Sequence, residues 1–385
     1  MPHIKVKPFD TAKLKKLNNL KFHGALEGSN QELFMLEDKE VMFFDLIKRD
    51  KEYLIKPNKS AKGAQTELIK HLLNSLAKEL ELEILLSNTN VKAKEPKEKS
   101  IYLKSIEDFY NFKSDFKKIK LEVGFGSGRH LLYRAEQESD TLFIGIEIHT
   151  PSINQTLKHI ELNGLDNVII LNYDARLLLE MLPSNILDKI YVHFPVPWDK
   201  KPHRRVISKK FVNESARVLK KGSSLELRTD SDKYYAYALE VFSLPKQSKF
   251  KVEKNIDIEV RSKYEDRWRR MNKDIYTLTF ESLEESKEKL LDIDFNFNTP
   301  KNRTKFPKDS IVRDDFFVHF GRVYNSLNDD SKVVETSFGS FTMPEKKMLF
   351  ISSSACRYYP TTPVKSIANF KAHNLIKEVL NGWSN

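Results

Sequence analysis

The feature that most constrains how this chain folds is a glycine-rich segment that directly follows an apolar run. The run ends in an acid, Glu122, and glycine then occupies alternate positions at Gly124, Gly126 and Gly128. Glycine has no Cβ, so the backbone can turn tightly there and approach a ligand closely. A helical pattern over residues 130–137 would bring that ligand to the N-terminus of a helix. The segment therefore predicts a strand, a ligand-binding loop and a helix in succession.

The spacing of the glycines distinguishes between two classes of ligand. A dinucleotide fingerprint, G-x-G-x-x-G, would need its last glycine at Arg129, and the carboxylate of Glu122 would repel a pyrophosphate. A carboxylate suits instead a ligand that carries an amino group and no phosphate. The pattern G-x-G-x-G after an acid resembles the S-adenosylmethionine loop of class I methyltransferases. The open alternatives are a nicotinamide dehydrogenase, which both residues disfavour, and a turn whose glycines serve packing alone.

Two further acids follow apolar strands at the spacing that a nucleoside site needs. Residues 142–146 form a buried-strand pattern that ends at Glu147. This acid lies about twenty residues past the glycines, where doubly wound folds place the carboxylate that binds ribose hydroxyls. A third strand pattern, residues 168–173, ends at Asp174, whose carboxylate could accept from the exocyclic amine of adenine. The three acids together predict a nucleoside pocket where these strands finish.

Composition indicates the class of partner and the compartment. The 385 residues carry a formal net charge of +11, which favours a polyanionic partner; a basic protein without such a partner is the alternative. Cys356 is the only cysteine, so no intrachain disulfide can form and a reducing compartment is expected. The first residues lack the apolar run of a signal peptide, and no stretch approaches the length of a membrane span. We therefore expect a cytoplasmic enzyme.

Periodicity divides the chain into a core and two flanks. Strand and helix patterns alternate from 119 to 281, which predicts an α/β fold with a mostly parallel sheet. The resemblance of the glycine loop to class I methyltransferases implies that this sheet is Rossmann-like and of their type. We expect residues 101–116 to form a helix that leads into this core. The same resemblance implies an antiparallel edge strand that closes the sheet, at residues 275–280. Each flank shows strands followed by a helix, and whether the flanks pack together stays open. The predicted regions are an N-terminal α+β region (1–90), a linker with the lead-in helix (91–118), the methyltransferase core (119–281), a second linker (282–304) and a C-terminal α+β region (305–385).

A basic loop follows the fourth strand of the predicted core, residues 189–194. Pro195 and Pro197 stiffen its start, and it would lie at the carboxyl ends of the strands, beside the ligand crevice. Cationic side chains suit phosphates because they release counterions when they neutralise a nucleic-acid backbone; a solvated charged loop is the alternative. Trp198 could pack on the sheet, which we favour, or stack on a base. The cationic side chains of the loop are Lys200, Lys201, Arg204 and Arg205, with His203 between them.

In order and spacing, these segments resemble the motifs of the bacterial tRNA (guanine-N7)-methyltransferases. That family has E-I-G-x-G-x-G, I-G-I-E, a strand ending D-A, F-x-D-P-W-x-K-x-x-H-x-x-R-R, K-T-D and T-K-[FY]-E. The counterparts here are Glu122–Gly128, Ile144–Glu147, Asp174-Ala175, Phe194–Arg205, Arg228–Asp230 and Ser262–Glu265. The resemblance covers about residues 119 to 281 and neither flank. It implies transfer of a methyl group from S-adenosylmethionine to N7 of a guanosine in the variable loop of tRNA.

The resemblance also implies roles for individual residues. Glu122, Glu147 and Asp174, with the three glycines, would bind S-adenosylmethionine. The residues implied to face tRNA are Lys200, His203, Arg204, Arg205, Asp230, Ser262, Lys263, Tyr264 and Glu265. The acid of the family's F-x-D-P-W loop is replaced by Val196. The catalytic residue is therefore unknown, with Asp230 and Asp199 as candidates.

The chemistry does not require the missing acid. Guanine N7 carries a free lone pair at neutral pH, so no proton has to leave before it attacks the methyl group. Holding N7 in line with the leaving sulfur can supply much of the rate. A carboxylate elsewhere, Asp230 or Glu265 or the nearby Asp199, can still bind the N1–H and N2-amino edge of guanine. We therefore expect activity to be retained. The alternative that Val196 favours is a non-catalytic tRNA- or RNA-binding protein on the same fold.

A basic and aromatic tract precedes the last strand of the core. Cations interleaved with aromatic side chains suit an RNA surface, although a solvated helix face would show the same pattern. We expect reversal of the charges of Arg269 and Arg270 to weaken tRNA binding. The histidines lack the clustered spacing of a zinc site, so no metal is expected, and the oligomeric state, monomer or homodimer, stays open. The tract comprises Lys263, Tyr264, Arg267, Trp268, Arg269, Arg270 and Lys273.

Overall fold

The computed structural model describes residues 1–38, 40–59, 66–89, 100–289, 292–300 and 305–382. The chain forms two compact units, one of residues 99–292 and one that joins residues 1–98 to residues 293–385. We call them the core unit and the flank unit. Residues 90–99, which include the start of the first predicted linker region, lie outside the described residues, as do residues 301–304 of the second predicted linker.

The helices and strands alternate along the core unit and cluster at the two ends of the chain. The strands are β1 (Ile4–Val6), β2 (Leu20–Leu26), β3 (Gln31–Glu37), β4 (Val41–Lys48), β5 (Tyr53–Pro57), β6 (Ile84–Ser87), β7 (Leu103–Lys104), β8 (Lys118–Val123), β9 (Thr141–Ile146), β10 (Val168–Leu171), β11 (Leu187–His193), β12 (Leu219–Thr229), β13 (Ser248–Lys254), β14 (Tyr276–Ser282), β15 (Ile311–Val312), β16 (Phe317–Ser326), β17 (Lys332–Gly339), β18 (Glu345–Ile351) and β19 (Cys356–Tyr359). The α-helices are α1 (Thr66–Glu79), α2 (Arg129–Gln137), α3 (Thr150–Asn163), α4 (Ala175–Met181), α5 (Lys209–Val218), α6 (Asp232–Phe242), α7 (Lys263–Arg270) and α8 (Ile367–Leu380).

The core unit contains a mostly parallel sheet of the class I methyltransferase type. Its strand order is β13-β14-β12-β11-β8-β9-β10-β7, and the neighbours from β12 to β7 run parallel. The chain moves outward from β8 to β10 and then returns to add β11 on the other side of β8. The sheet therefore has a topological switch point between β8 and β11, and open α/β sheets bind ligands at the carboxyl ends of the strands beside such a point. The predicted α/β fold is confirmed.

Apolar side chains attach the first two crossover helices to this sheet. Leu131 and Ala135 of α2 and Leu157 of α3 share one buried cluster with Phe143 and Ile170 of the strands. The helix boundaries follow from local chemistry, because Gly128 precedes α2 in a left-handed conformation and Gly164 ends α3 in another. Glycine adopts that conformation without the steric cost that a Cβ imposes. The packing fixes the start of α2 at the end of the glycine loop.

The flank unit is one sheet shared by both ends of the chain. Its strand order is β19-β18-β17-β16-β2-β3-β4-β5-β1-β6, with β15 on β16, and the two ends meet where β16 pairs antiparallel with β2. Helix α1 covers Phe34 and Phe44, and helix α8 covers Phe338. The sequence left open whether the flanks pack together, and backbone hydrogen bonds join them into one sheet.

A third apolar cluster shows that this sheet curls. It joins Phe22, Leu33 and Met35 to Tyr324 and Met348, which come from the two ends of the chain. The rings of Phe43 on β4 and Tyr359 on β19 lie 6.1 Å apart, although these strands are separated in the sheet by five others. The central strands β3 and β4 therefore bury both faces, which explains their nearly continuous apolar runs.

Three details of the sequence interpretation need correction. Residues 101–116 do not form one helix; they contain the two-residue strand β7 and a single short 3₁₀ turn, Ile106–Phe109. Strand β14 is antiparallel as expected but is not the edge, because β13 pairs along its outer side. The described part of the second linker is hydrogen-bonded to the rest of the core unit, since Ser286 exchanges two hydrogen bonds with Asn185.

Phe297, in the same predicted linker, packs its ring against Tyr358 of the flank unit. In the described ranges, none of the helices is both long and apolar enough to span a bilayer.

Candidate functional site

The glycine loop leaves open space above its backbone. Gly124, Gly126 and Gly128 have φ angles of +70°, +54° and +73°. A Cβ built on Gly124 or Gly126 would meet no atom within 4 Å, whereas one on Gly128 would lie 2.6 Å from Oγ1 of Thr156. The first two glycines therefore leave the surface above them clear of protein atoms, and the third allows α2 to pack closely on α3.

Glu147 connects the second strand of the site to this loop. Its Oε2 accepts a hydrogen bond from the Gly126 N–H at 3.0 Å, and its Oε1 accepts from the N–H groups of Ile148 and His149. A carboxylate has about four acceptor positions. Oε2 can therefore take a further donor while it holds the loop.

Glu122 does not face an open pocket. It is 4 % exposed and accepts a hydrogen bond from Nδ1 of His130 at 2.8 Å. The ring of His130 in turn lies 4.7 Å from the ring of His193, measured between centroids. A ligand that reaches Glu122 would therefore meet a carboxylate that His130 already orients.

Beyond His193 the polar row continues across the sheet. His193 Nε2 donates to Glu226 Oε1 at 2.9 Å, and Lys189 donates to Glu226 Oε2 at 2.7 Å. Burial lowers the pKa of His193, although the hydrogen bond to Glu226 opposes that change. Burial would raise the pKa of Glu226, but His193 and Lys189 hold it well below its ordinary value.

The sequence analysis did not identify this row. The signal was the alternation of Lys189, Tyr191 and His193 along β11, which puts three polar side chains on one face of a strand. The row places the imidazole of His193 beside the carboxylate of Glu226 immediately before the loop that follows β11.

Asp174 is engaged within its own helix. It caps the N-terminus of α4 by accepting from the N–H of Arg176, whose guanidinium also donates to both carboxylate oxygens, at 2.9 Å and 2.6 Å for the closest pairs. The pKa of Arg176 is raised by this pair. The predicted contact with adenine would have to compete with Arg176, and it stays a prediction.

The loop after β11 is fixed by one buried cation. Arg205 is 6 % exposed, donates to the carbonyl oxygen of Pro197 at 2.7 Å, and lies 5.0 and 4.8 Å from the rings of Tyr234 and Tyr237. It also donates to Asp199 at 3.3 Å. This placement gives Arg205 a positioning role, because a guanidinium held by two rings and a carbonyl does not face a substrate phosphate.

The other cations of the loop remain exposed. Lys200, His203 and Arg204 lie on its surface, and Arg204 lies 5.1 Å from the ring of Trp198, which is itself 37 % exposed. Val196, at the position of the family's acid, is 60 % exposed. The loop thus presents cations and an uncharged tip at the carboxyl edge of the sheet.

A second segment reaches the same edge from the far side of the sheet. Residues 255–275, which we call the excursion, leave between β13 and β14 and are closed at the base by reciprocal hydrogen bonds between Asn255 and Ile275. Ser262 caps α7 by accepting from the N–H of Glu265 at 3.1 Å. Lys263 and Tyr264 are exposed, whereas Glu265 is fully buried. The implied substrate segment is therefore divided between an exposed face and a buried anchor.

Asp230 lies directly after β12 and joins this excursion. Its carboxylate accepts from Lys273 at 2.6 Å, and the Lys273 ammonium lies 3.9 Å from the ring of Trp268. Arg269 is committed to the protein, since it donates to Glu265 and to the carbonyl oxygen of Ile256. Reversal of the charge of Arg269 would therefore disrupt the excursion itself, and it does not test tRNA contact.

Comparison of the sequence with known proteins identifies a matching family and similar named proteins. A family model described as "Putative methyltransferase" matches residues 117–278. The chain is 40 % identical over 355 residues to the tRNA (guanine-N(7)-)-methyltransferase of Wolinella succinogenes, with 91 % of each chain covered. It is 38 % identical to the protein of the same name from Campylobacter fetus, over 94 % of this chain and 97 % of that relative.

A third relative of that name, from Helicobacter pylori strain J99, is 38 % identical over 89 % of this chain and 86 % of its own length. These alignments extend well beyond residues 119 to 281, so the likeness includes residues of the flank unit. The chain belongs to the tRNA (guanine-N7)-methyltransferase family.

Proposed function

We propose that this protein transfers a methyl group from S-adenosylmethionine to N7 of a guanosine in tRNA. The observation that carries the proposal is the meeting of two segments at one edge of the core sheet. The glycine loop keeps open space next to Glu147, and the loop after β11 presents Lys200, His203 and Arg204 at the same edge. One segment suits a nucleoside with an amino group, and the other suits an RNA backbone.

The residues fit S-adenosylmethionine better than a phosphate-bearing cofactor. Glu147 has acceptor capacity for ribose hydroxyls, and the carboxylate of Glu122 directly precedes the glycine loop, which disfavours a pyrophosphate there. When bound, S-adenosylmethionine supplies an electrophilic methyl group on a sulfonium. The residues that would hold it are Glu122, Gly124, Gly126, Gly128, Glu147 and Asp174.

The protein's task in this reaction is to position the base. Guanine N7 needs no deprotonation, so a side chain contributes by orienting the ring and by excluding water. Asp199, with a side chain 43 % exposed, and Asp230, joined to Lys273, are the carboxylates at this edge that could accept from the N1–H and N2-amino group. Val196 contributes no charge, so the role of the family's loop acid passes to one of these two.

The transfer itself is the first prediction. Purified protein with methyl-labelled S-adenosylmethionine and tRNA should give 7-methylguanosine by nucleoside mass spectrometry. A tRNA with 7-deazaguanosine at the accepting position should give none, because it lacks the nucleophilic nitrogen. Binding of both ligands without transfer at any salt concentration would favour the non-catalytic RNA-binding alternative instead.

The same assay separates the two candidate carboxylates. Asp199→Asn or Asp230→Asn should lower kcat more than it changes the affinity for S-adenosylmethionine, since only the residue that orients guanine acts on the reacting base. Glu161→Gln, on the exposed surface of α3, is the matched control.

A further inference from the structure

Helix α7 is held against the rest of the core unit by a buried charged side chain. It has eight residues, Lys263–Arg270, and Glu265 is the buried one among them. An isolated helix of two turns is marginal in water, and helices in proteins are usually stabilised by an apolar face. No apolar residue of α7 is buried; Tyr264, for example, is 56 % exposed. The position of this helix therefore depends on what receives the carboxylate of Glu265.

That partner is Arg228, near the carboxyl end of β12. Both side chains are 0 % exposed, and Arg228 donates from one terminal nitrogen to Glu265 Oε1 at 2.8 Å. Its other terminal nitrogen donates to Oγ1 of Thr277 at 2.7 Å, across from it on β14. The planar guanidinium thus links two strands of the sheet to the helix, which a lysine could not do with one ammonium in the same geometry.

The same carboxylate extends the attachment to the base of the excursion. Arg269 donates to Glu265 Oε1 at 3.0 Å and to the carbonyl oxygen of Ile256 at 2.6 Å. At the outer side, Arg129 donates to Asp266 at 2.7 Å, and this arginine directly follows the last glycine of the cofactor loop. Helix α7 is therefore held between the sheet and the start of α2, and its link to Arg228 is fully buried.

We propose that Arg228 is a positioning residue for the tRNA substrate, because it holds α7 in position and thereby fixes residues 262–265 beside Asp230. The inference rests on the proposed function for its substrate. Without Arg228, Glu265 keeps only Arg269, which lies on the same helix, as the donor named above. Breaking a buried ion pair is strongly destabilising, and charge-assisted hydrogen bonds fix a single direction of approach. Loss of the two hydrogen bonds from the Arg228 guanidinium therefore releases the helix. The glycine loop, Glu147 and the parallel strands stay in place.

The test compares two substitutions of Arg228 with a matched control in the full-length protein. Arg228→Met removes the charge, and Arg228→Lys keeps the charge but can reach only one of its two partners. Arg217→Met removes a different, partly exposed arginine of the core unit, which is paired with Glu214 at the opposite end of the sheet. The measurements are amide hydrogen exchange over residues 259–271, KM for tRNA, and the dissociation constant of S-adenosylmethionine.

We expect Arg228→Met to raise KM for tRNA about tenfold or more, as displaced substrate contacts do, and to accelerate exchange in residues 259–271. Arg228→Lys should show the same changes to a smaller degree. In both, the affinity for S-adenosylmethionine should change less than about twofold, since that site is held by other residues. Arg217→Met should alter neither the exchange of α7 nor KM for tRNA.

The exchange measurement needs no substrate, so it separates this inference from the proposed function. If the wild-type protein transfers no methyl group, the proposed function is wrong. Amide hydrogen exchange would still report whether Arg228 holds α7 in place. Unchanged exchange in Arg228→Lys overturns the inference, whether or not Arg228→Met folds. The inference is also overturned if Arg228→Met weakens the binding of tRNA and of S-adenosylmethionine equally, or if Arg217→Met raises KM for tRNA as well. Either result indicates a general loss of structure.

Discussion

At the scale of single residues, the three glycines of the loop have different physical roles. All three have a positive φ, but a Cβ on Gly126 would enter open space, whereas a Cβ on Gly128 would overlap Thr156. The sequence pattern makes them equivalent, and only the packing of α3 against α2 distinguishes them. Gly126 therefore borders the open space that we propose for the ligand, and Gly128 serves the helix packing.

Alanine substitution should separate these two roles. Gly128→Ala should destabilise the core unit by about 2–4 kcal/mol, from roughly 1 kcal/mol of left-handed backbone strain plus overlap with Thr156. Gly126→Ala should cost about 1 kcal/mol in stability, from the same strain alone, and should weaken S-adenosylmethionine binding more than Gly128→Ala does. Urea unfolding and titration calorimetry give the two quantities. Equal losses of stability would contradict the assignment.

At the scale of elements, the pairing of β16 with β2 determines what can fold alone. Gly24 on β2 faces Ser326 on β16, and a Cβ there would lie 2.7 Å from the carbonyl oxygen of Asn325. The third apolar cluster draws residues from both ends of the chain, so neither end has a complete core. The core unit, by contrast, is continuous in sequence and contains its own buried clusters.

Fragments should reflect this difference. A fragment of residues 99–292 should unfold cooperatively and bind S-adenosylmethionine, because its sheet and site are complete. A fragment of residues 1–98 should lack a cooperative transition, since β2 would become an open edge and Phe22, Leu33 and Met35 would be exposed to water. Circular dichroism during thermal unfolding measures both. A sharp transition of the N-terminal fragment would show that its α1 cluster is sufficient.

Deletion of residues 305–385 is consequently a poor test of tRNA affinity. The truncation removes five strands of the shared sheet together with helix α8, and it would unfold the N-terminal strands as well. Any rise in KM would then report loss of the flank unit as a whole. Substitutions of single surface residues are needed instead.

At the scale of the whole molecule, the net charge of +11 acts through the cations that are free to meet phosphates. Arg205 and Arg269 contribute to this charge but are held in internal hydrogen bonds. Lys200 and Arg204 are exposed at the carboxyl edge of the core sheet. The number of basic residues therefore overstates the electrostatic footprint on tRNA.

The salt dependence of tRNA binding should report how many cations of the protein contact phosphates. Plots of log K for tRNA against log salt should have a negative slope, and Lys200→Gln or Arg204→Gln should reduce its magnitude by about one for each lost phosphate contact. Lys221→Gln, near the amino end of β12, should leave the slope unchanged. Filter binding at several salt concentrations measures this, and an identical slope in all three variants would assign the loop to solvent.

The sequence by itself determined the elements whose signal is local. Apolar strands that end in Glu122, Glu147 and Asp174, and glycines at alternate positions, were enough to predict the α/β core and its glycine loop. These features follow from backbone conformation and from short-range periodicity, which are written in consecutive residues. The resemblance in the loop motifs then indicated the family, which the relatives confirm.

Only the tertiary structure decided which side chains are engaged with the protein and which remain free. Arg205, Arg228, Glu265 and Arg269 look like surface charges in the sequence, yet partners from distant strands and helices bury or bind them. The join of the two flanks and the position of β13 outside β14 were decided in the same way. Each depends on pairing between segments far apart in the chain, and no local pattern encodes the partner of a strand edge or of a buried charge.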